Sequence, residues 1–249
     1  MNKPFHKKLT LAKTYDFCAA KQPKLTAIFV HGLASDSSCF SGAIEHLKKT
    51  EKLKDVRFIA FDLLGVGKSY KSDELNYDYN EYIEALHNSI SELKPNTPMV
   101  LIGHSMGTFI VTRYASIYPD SIEKLILVSP PVYTRKDLEN PAFAVAMKAF
   151  KEAVSVKDRK ILQEKSFNAA IDNIVLNKDN YDTLANLKIP AVLIHGEMDQ
   201  FIASHNIPKI LKDNPEHLSD VKTLGRHGVT HDKYAKITEA IEGVLNAIS

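Results

Sequence analysis

The chain has 249 residues, of which 44% are hydrophobic and 25% are charged, and its formal net charge at pH 7 is +2. A chain of this length can bury a substantial core as one α/β domain, so we expect residues 1–249 to form a single domain. The small net charge argues against a dedicated nucleic-acid-binding or membrane-surface protein.

The cysteines and the N-terminus bear on the compartment of the protein. Cys18 and Cys39 have neither the spacing of a metal site nor that of a redox pair, which is typical of reduced thiols. The basic N-terminus lacks the apolar region of a signal peptide, and no apolar run approaches the ~20 residues of a membrane span. We therefore expect a cytoplasmic protein without a membrane span. The sequence does not indicate an oligomeric state.

Short apolar runs alternate with helical patterns along the chain, which predicts strands covered on both faces of a parallel sheet. Residues 9–19 come first and predict a short hairpin at the sheet edge. The further strand candidates are residues 25–30, 56–61, 99–102, 124–128, 191–194 and, more weakly, 221–224.

Apolar residues at helical spacing predict helices between these strands. Pro95 and Pro119 mark the ends of two of them. Three apolar stripes predict helices, and the last of them lies at the end of the chain. Their residues are Phe40, Ile44 and Leu47; Tyr82, Ile83, Leu86, Ile90 and Leu93; and Tyr234, Ile237, Ile241, Val244, Leu245 and Ile248.

Residues 130–188 interrupt the alternation because they contain no strand signal. We expect a helical insertion here, above the C-terminal edge of the sheet. Three helices are predicted here, and Pro141 could open the first of them. In chain order their apolar residues are Phe143, Met147, Phe150 and Val154; Ile161, Leu162 and Phe167; and Ile171, Ile174 and Val175.

Residues 103–107 form the pentapeptide G-x-S-x-G between a predicted strand and a predicted helix. A sharp strand-to-helix turn of this kind exposes the serine hydroxyl, here that of Ser105, for nucleophilic attack. Side chains at positions 103 and 107 would collide with the neighbouring helix and strand, which explains the small residues there. His104 is expected to pack beside this turn.

A serine hydroxyl needs a base to accept its proton, and the base needs a group to orient it. Asp199 and His227 each follow a predicted strand, and the carboxyl ends of parallel strands lie at one edge of a sheet. The chain order Ser, Asp, His is typical of strand–turn–helix nucleophiles.

Other residues compete for these roles. Glu197 and Asp232 are alternative carboxylates, and His231 is an alternative base. His227 and His231 have the spacing of two metal ligands on a helix, but no H-E-x-x-H motif accompanies them, so we expect no metal. His195 is interpreted as a packed or hydrogen-bonded histidine at a strand end.

The developing charge on a substrate oxygen also requires stabilisation. The loop that begins His31-Gly32 follows the first central strand and can turn its N–H groups inward. We predict that the backbone N–H groups of Leu33 and Met106 form an oxyanion hole, aided by the positive end of the helix behind Ser105.

Five motifs together resemble the α/β-hydrolase superfamily, in its branch of small serine esterases with a short helical lid. They lie at residues 31–33, 62–69, 103–107, 196–199 and 225–227. The resemblance implies an α/β-hydrolase fold with a mostly parallel central sheet flanked by helices. It also implies a catalytic triad of Ser105, Asp199 and His227 and a lid at residues 130–188. One departure is that Arg226, rather than glycine, directly precedes His227.

The same resemblance narrows the reaction. A serine nucleophile disfavours dehalogenases and epoxide hydrolases, and the loop His-Gly-Leu-Ala-Ser differs from those of proline iminopeptidases and carbon–carbon bond hydrolases. We therefore expect a carboxylic ester hydrolase that forms an acyl-enzyme, without a cofactor, on a small-molecule ester of small to medium apolar acyl groups. Alternatives are a thioesterase or acyltransferase, lactone hydrolysis, or a ligand receptor without turnover. The residues that suggest an apolar acyl pocket, although simple packing would also explain them, are Phe143, Met147, Phe150 and Phe167.

Overall fold

The computed structural model of the protein describes residues 8–153, 164–199, 201–224, 227 and 235–248. Within these residues seven strands form one sheet, in the order β1-β3-β2-β4-β5-β6-β7. β1 is antiparallel to β3, and every other neighbouring pair is parallel. The strands are β1 (Ala12–Phe17), β2 (Leu25–Val30), β3 (Val56–Asp62), β4 (Met99–His104), β5 (Ile122–Val128), β6 (Ala191–Gly196) and β7 (Leu218–Thr223).

The predicted mostly parallel sheet is confirmed, with corrections at its two edges. β7 begins at Leu218, three residues before the predicted start. The sequence did not indicate this start, because the four central side chains of β7 are exposed and the strand lacks an apolar run. The hairpin predicted for residues 9–19 is wrong, although its place at the sheet edge is confirmed. β1 is a single strand, since it pairs along the free edge of β3 from Ala12 opposite Asp62 to Phe17 opposite Phe58.

Helices connect most of these strands. The helix Glu164–Ala170, which is α6, continues directly into a π-helical turn at Ile171–Val175. In the described part of the chain, no helix has both the length and the apolar character needed to cross a membrane. The helices are α1 (Ser41–Leu47), α2 (Tyr79–Leu93), α3 (Met106–Ile117), α4 (Arg135–Leu138), α5 (Pro141–Ala153), α6 (Glu164–Ala170), α7 (Asn180–Ala185), α8 (Ile207–Asp213) and α9 (Ala235–Asn246).

In the described part of residues 130–188, the predicted helical character is confirmed by α4 to α7, but the predicted division is not. Phe167 and Ile171, which were assigned to separate helices, belong to one continuous helical stretch because α6 runs on without a break. The predicted helical residues Val154, Ile161, Leu162 and Tyr234 lie outside the described residues.

Two apolar layers cover the two faces of the sheet. Along β2 the side chains alternate between them, so that Ile28 and Val30 face one layer and Ala27 and Phe29 the other. Buried side chains of α2 and α3 complete the first layer, and those of α1 and α9 complete the second. The sheet is thereby held from both sides.

The glycine-containing loop after β3 is a structural turn that supports the insertion. Gly67 has a φ of +49°, and a Cβ there would lie 2.1 Å from Oδ2 of Asp62. The other oxygen of Asp62 accepts hydrogen bonds from the backbone and hydroxyl of Ser37. On the same loop, the carbonyl of Gly65 accepts a hydrogen bond from the Ser166 hydroxyl of α6. The insertion therefore packs onto a loop at the C-terminal edge of the sheet.

Candidate active site

Ser105 lies at the turn between β4 and α3 with backbone angles φ 50° and ψ −121°. Residues other than glycine rarely adopt a positive φ, so this conformation is strained. The Ser105 N–H donates to the carbonyl of Val128 over 2.9 Å, which fixes the turn against the neighbouring strand.

The two flanking glycines are required by close packing, as the sequence predicts. A Cβ at Gly103 would lie 2.7 Å from the backbone nitrogen of Thr108 in α3. A Cβ at Gly107 would lie 2.3 Å from the carbonyl oxygen of Val30 in β2. Both distances are shorter than real contacts, so only glycine lets β2, β4 and α3 approach this closely.

The structure brings together the three side chains predicted to form a triad. The Ser105 hydroxyl lies 2.9 Å from Nε2 of His227. Nδ1 of the same ring lies 2.9 Å and 3.1 Å from the two carboxylate oxygens of Asp199. The Asp199 side chain is fully buried, whereas that of His227 is 18% exposed. With Nδ1–H donating to Asp199, Nε2 is free to accept the Ser105 proton.

The surroundings of Asp199 keep it ionised at neutral pH. Burial opposes ionisation, but hydrogen bonds from His227 and from the Phe201 N–H outweigh it and lower the pKa of the carboxyl. A buried carboxylate paired with an imidazole in this way can hold the ring in one orientation and stabilise its protonated form.

The competing residues lie in other surroundings where they are described. Glu197 pairs with Lys222 over 2.9 Å at the surface. His195 lies 2.9 Å from Asp220 through Nε2, in agreement with a hydrogen-bonded histidine at a strand end. His231 and Asp232 lie outside the described residues. Over the described ranges, no group of three or more His, Cys, Asp or Glu side chains has the arrangement of a metal site.

His104 packs beside the turn, as expected. Its side chain is 8% exposed, and its ring centroid lies 5.2 Å from that of His227. Burial, together with the nearby His227, lowers the pKa of His104 to about 3. The ring is therefore neutral and places no second positive charge beside His227.

His31 fixes the loop that holds one predicted oxyanion donor. Its Nδ1–H donates to the carbonyl of Gly32 over 2.8 Å, while Nε2 accepts from the Leu63 N–H over 2.9 Å. Burial lowers the pKa of His31, which favours this neutral form. In a trans peptide the N–H points away from the carbonyl, so the bond to Gly32 sets the direction of the Leu33 N–H.

The residues of the two predicted donors lie close to Ser105. Leu33 lines the same cavity as Ser105, and a Cβ at Gly32 would lie 2.9 Å from the Cβ of Ser105. Met106 is the first residue of α3, so its N–H has no acceptor within the helix and belongs to the positive end of the helix dipole. Their role as an oxyanion hole stays a prediction.

A cavity of about 740 Å³ extends from the Ser105 hydroxyl beneath α5. Phe143, Met147 and Phe150 line it, as expected for an apolar pocket. Phe167 does not line it, since it packs with Val66 and Ile171 in a small core cluster behind Phe150.

The sequence analysis missed three further polar residues that line this cavity, Tyr133, Asp137 and His205. A signal for one of them was present, because Thr134 and Asp137 have the spacing of a helix capping box. The structure contains this capping box at the start of α4.

Comparisons with known proteins agree with this architecture. A family model described as the alpha/beta hydrolase fold matches residues 28–152. Probable lysophospholipase BODYGUARD 5 of Arabidopsis thaliana is 33% identical over 121 residues, which are 47% of this chain and 27% of that protein. The chain thus spans about a quarter of the length of that relative.

Solved structures share the fold along nearly the whole chain. A monoacylglycerol lipase from Paleococcus ferrophilus superposes with a TM-score of 0.70 at 20% identity, covering 97% of this chain and 100% of that one. An esterase from Exiguobacterium antarcticum gives a TM-score of 0.70 at 20% identity, covering 93% and 94%.

Proposed function

This chain belongs to the α/β-hydrolase fold family, and on that premise we propose that it is a serine esterase that cleaves carboxylic esters of small to medium apolar acyl groups. The observation that carries the proposal is the continuous hydrogen-bonded path from Ser105 through His227 to Asp199. A strained, accessible serine with a base at 2.9 Å has little other use than nucleophilic attack.

The proposed reaction has two halves. In the first, His227 accepts the proton of Ser105 as the hydroxyl oxygen attacks the ester carbonyl, and Asp199 stabilises the imidazolium that forms. His227 then donates this proton to the departing alcohol, which leaves an acyl group on Ser105. In the second half a water attacks the acyl carbonyl with His227 again as base. The bond to the Ser105 oxygen then breaks, His227 returns the proton to that oxygen, and the carboxylic acid leaves.

The Leu33 and Met106 N–H groups are proposed to donate to the oxygen that becomes negative in both halves. Loss of one such donor typically raises the barrier by about 3 kcal/mol. His31 acts on this step only indirectly, by orienting the Gly32–Leu33 peptide.

The proposed acyl subsite is the apolar wall formed by α5, in particular Met147 and Phe150, with Val175. Each methylene of the acyl chain that is buried there contributes up to about 0.8 kcal/mol to binding. We also propose that the helical segment within residues 130–188 acts as a lid over this cavity, inserted into a single domain.

A panel of p-nitrophenyl esters of increasing acyl length tests the proposal. We expect wild type to release p-nitrophenol at a steady rate, with kcat/KM rising with acyl length until the cavity is filled. Ser105→Ala should lower kcat by more than about 10⁴-fold, since it removes the attacking oxygen.

The exposed Ser116 near the end of α3 offers a matched control. Ser116→Ala should leave both the rate and the melting temperature close to wild type. Turnover that survives in Ser105→Ala would refute the nucleophile. Saturable binding of the esters by wild type without any turnover would favour a receptor instead.

A further inference from the structure

The cavity above Ser105 has chemically different ends. α5 spans it, with Phe143 near its beginning and Phe150 seven residues, or about 10 Å, further along. Phe150 and Met147 face the apolar cluster formed by Val66, Phe167 and Ile171. Phe143 instead contacts the ring of Tyr133, with ring centroids 4.7 Å apart. The polar residues Asp137 and His205 also line the cavity.

Asp137 divides its two carboxylate oxygens between the fold and the cavity. Oδ2 accepts from the Thr134 N–H at 2.8 Å, from the Thr134 hydroxyl at 2.6 Å and from the Asn206 side chain at 2.8 Å. The nearest described partner of Oδ1 is Nε2 of His205 at 3.5 Å, which is too long for a hydrogen bond. Oδ2 is thus part of the fold, and Oδ1 remains available to a ligand.

The charge of Asp137 has little compensation within the described residues. Burial opposes its ionisation, but the hydrogen bonds from Thr134 and Asn206, with a smaller contribution from the nearby His205, outweigh it and lower the pKa of the carboxyl. No lysine or arginine is found among the described residues that line the cavity. The His205 side chain is 70% exposed, so solvent screens any charge that it bears. This end of the cavity is therefore negative.

Two aromatic rings line the same cavity as this negative charge. Tyr133 and Phe143 line the cavity with Asp137. The faces of aromatic rings attract cations, and organic ammonium groups in particular bind to such rings together with a carboxylate. A hydroxyl group would also bind Oδ1, but it would not use the rings or the uncompensated charge.

We propose that this cavity selects esters that bear an organic ammonium group, with Asp137 as its counter-charge and Tyr133 and Phe143 as its walls. The inference rests on the proposed ester hydrolysis and adds the charge class of the substrate. Esters with an anionic group at the same position are expected to be poor substrates, because the charge of Asp137 repels them.

Two esters of the same shape test this directly. Butyrylcholine and 3,3-dimethylbutyl butyrate differ in a quaternary nitrogen against a quaternary carbon. We expect wild type to show a kcat/KM about tenfold higher for the choline ester, in line with a partly desolvated cation near one carboxylate and aromatic faces.

Asp137→Asn is the discriminating variant. Its amide oxygen can accept the bonds from Thr134 and Asn206 that Oδ2 accepts now, while its NH₂ group faces the cavity in place of Oδ1. The ratio of the two kcat/KM values should fall severalfold toward one, and the part that remains reflects the aromatic rings, which this variant keeps. Glu139→Gln removes the same charge from an exposed residue that pairs with Lys178, and it should keep the wild-type ratio.

The possible results distinguish a failure of this inference from a failure of the proposed function. Equal kcat/KM values for the two esters in wild type would overturn the inference without any variant, and so would an undiminished preference in a folded Asp137→Asn protein. If wild type hydrolyses neither these esters nor any p-nitrophenyl ester above the level of Ser105→Ala, the proposed function itself fails.

Discussion

Three histidines lie around the candidate nucleophile, and their partners give them different properties. His31 has both nitrogens hydrogen-bonded to backbone, and it fixes a loop. His104 is buried without a hydrogen-bond partner among the described residues, and its lowered pKa keeps it neutral. His227 bridges Ser105 and Asp199. Of the three, only the arrangement of His227 is suited to moving a proton.

Replacement of Asp199 tests whether it orients the base. In Asp199→Asn the amide cannot hold the Nδ1–H tautomer of His227 as a carboxylate does, and kcat for p-nitrophenyl butyrate should fall by about 10⁴-fold. Steady-state kinetics at neutral pH measure this.

The control for this variant is Asp220→Asn, which instead removes the negative charge beside His195. It should leave kcat close to wild type. An equal loss of activity in both variants would show that general disturbance of this edge of the sheet, rather than the orientation of His227, is responsible.

The two thiols differ in accessibility, which gives a simple chemical prediction. Cys39 is 5% exposed, and burial raises the pKa of its thiol to about 12. Since the thiolate is the reactive form, Cys39 should not react with Ellman's reagent at pH 8 in the native protein. The half-exposed Cys18 should react.

A titration should therefore find one fast thiol in native wild type and two in urea. Cys18→Ser should have no fast thiol before unfolding. Rapid reaction of both thiols in the native protein would mean that the layer around Cys39 opens readily.

At the level of elements, the attachment of α6 to the loop after β3 links the insertion to the sheet. Gly65 has a φ of +78°, and a Cβ there would lie 2.3 Å from the Cβ of Ser166. The helical turn that continues α6 contains Val175, which lines the cavity. A shift of α6 away from the loop is therefore expected to disturb the cavity wall.

Gly65→Ala should therefore lower the free energy of unfolding by about 1–3 kcal/mol, through strain and the collision with α6. Urea unfolding followed by circular dichroism measures this. Within the described residues, no atom outside the backbone of α9 and the two chain neighbours lies within 4 Å of a methyl group added at Gly243. Gly243→Ala should therefore stabilise the protein by about 0.5–1 kcal/mol. Equal effects of the two substitutions would contradict the packing argument.

Most elements could be predicted because burial leaves a pattern in the sequence. β2 and β4 are buried along their entire length and read as unbroken apolar runs. β7 has four exposed central residues, so its position depends on pairing with β6, which local sequence does not encode. β1 likewise depends on the free edge of a strand that comes some forty residues later.

The candidate site was predictable to the extent that local motifs encode it. The turn at Ser105 requires glycines on both sides, so it can be recognised from five residues. Asp137 and Tyr133 reach the cavity only through the path of the chain between β5 and α5, and their sequence indicates no more than a helix cap. Their importance becomes visible when distant segments come together.

At the scale of the whole molecule, the sheet determines where the reactive side chains meet. Ser105, Asp199 and His227 come after the carboxyl ends of β4, β6 and β7, which lie close together in the strand order. Both apolar layers pack on this one sheet. A disturbance of either layer is therefore expected to reach the site.

If the chain unfolds as one cooperative domain, activity and secondary structure should be lost together. In a urea titration, ester hydrolysis and the circular dichroism signal at 222 nm should decline with coincident midpoints. Loss of activity at a clearly lower urea concentration would mean that the insertion within residues 130–188 unfolds on its own, and it would refute one cooperative unit.

The left-handed backbone at Ser105 means that the chain is less stable than its own architecture permits. Glycine at this position would relieve a conformational penalty of about 1–3 kcal/mol, so selection for thermal resistance alone would replace the serine. A directed-evolution experiment that selects for thermal stability without an activity screen should then replace Ser105 with glycine. That a serine occupies this turn indicates a selective demand that stability does not explain.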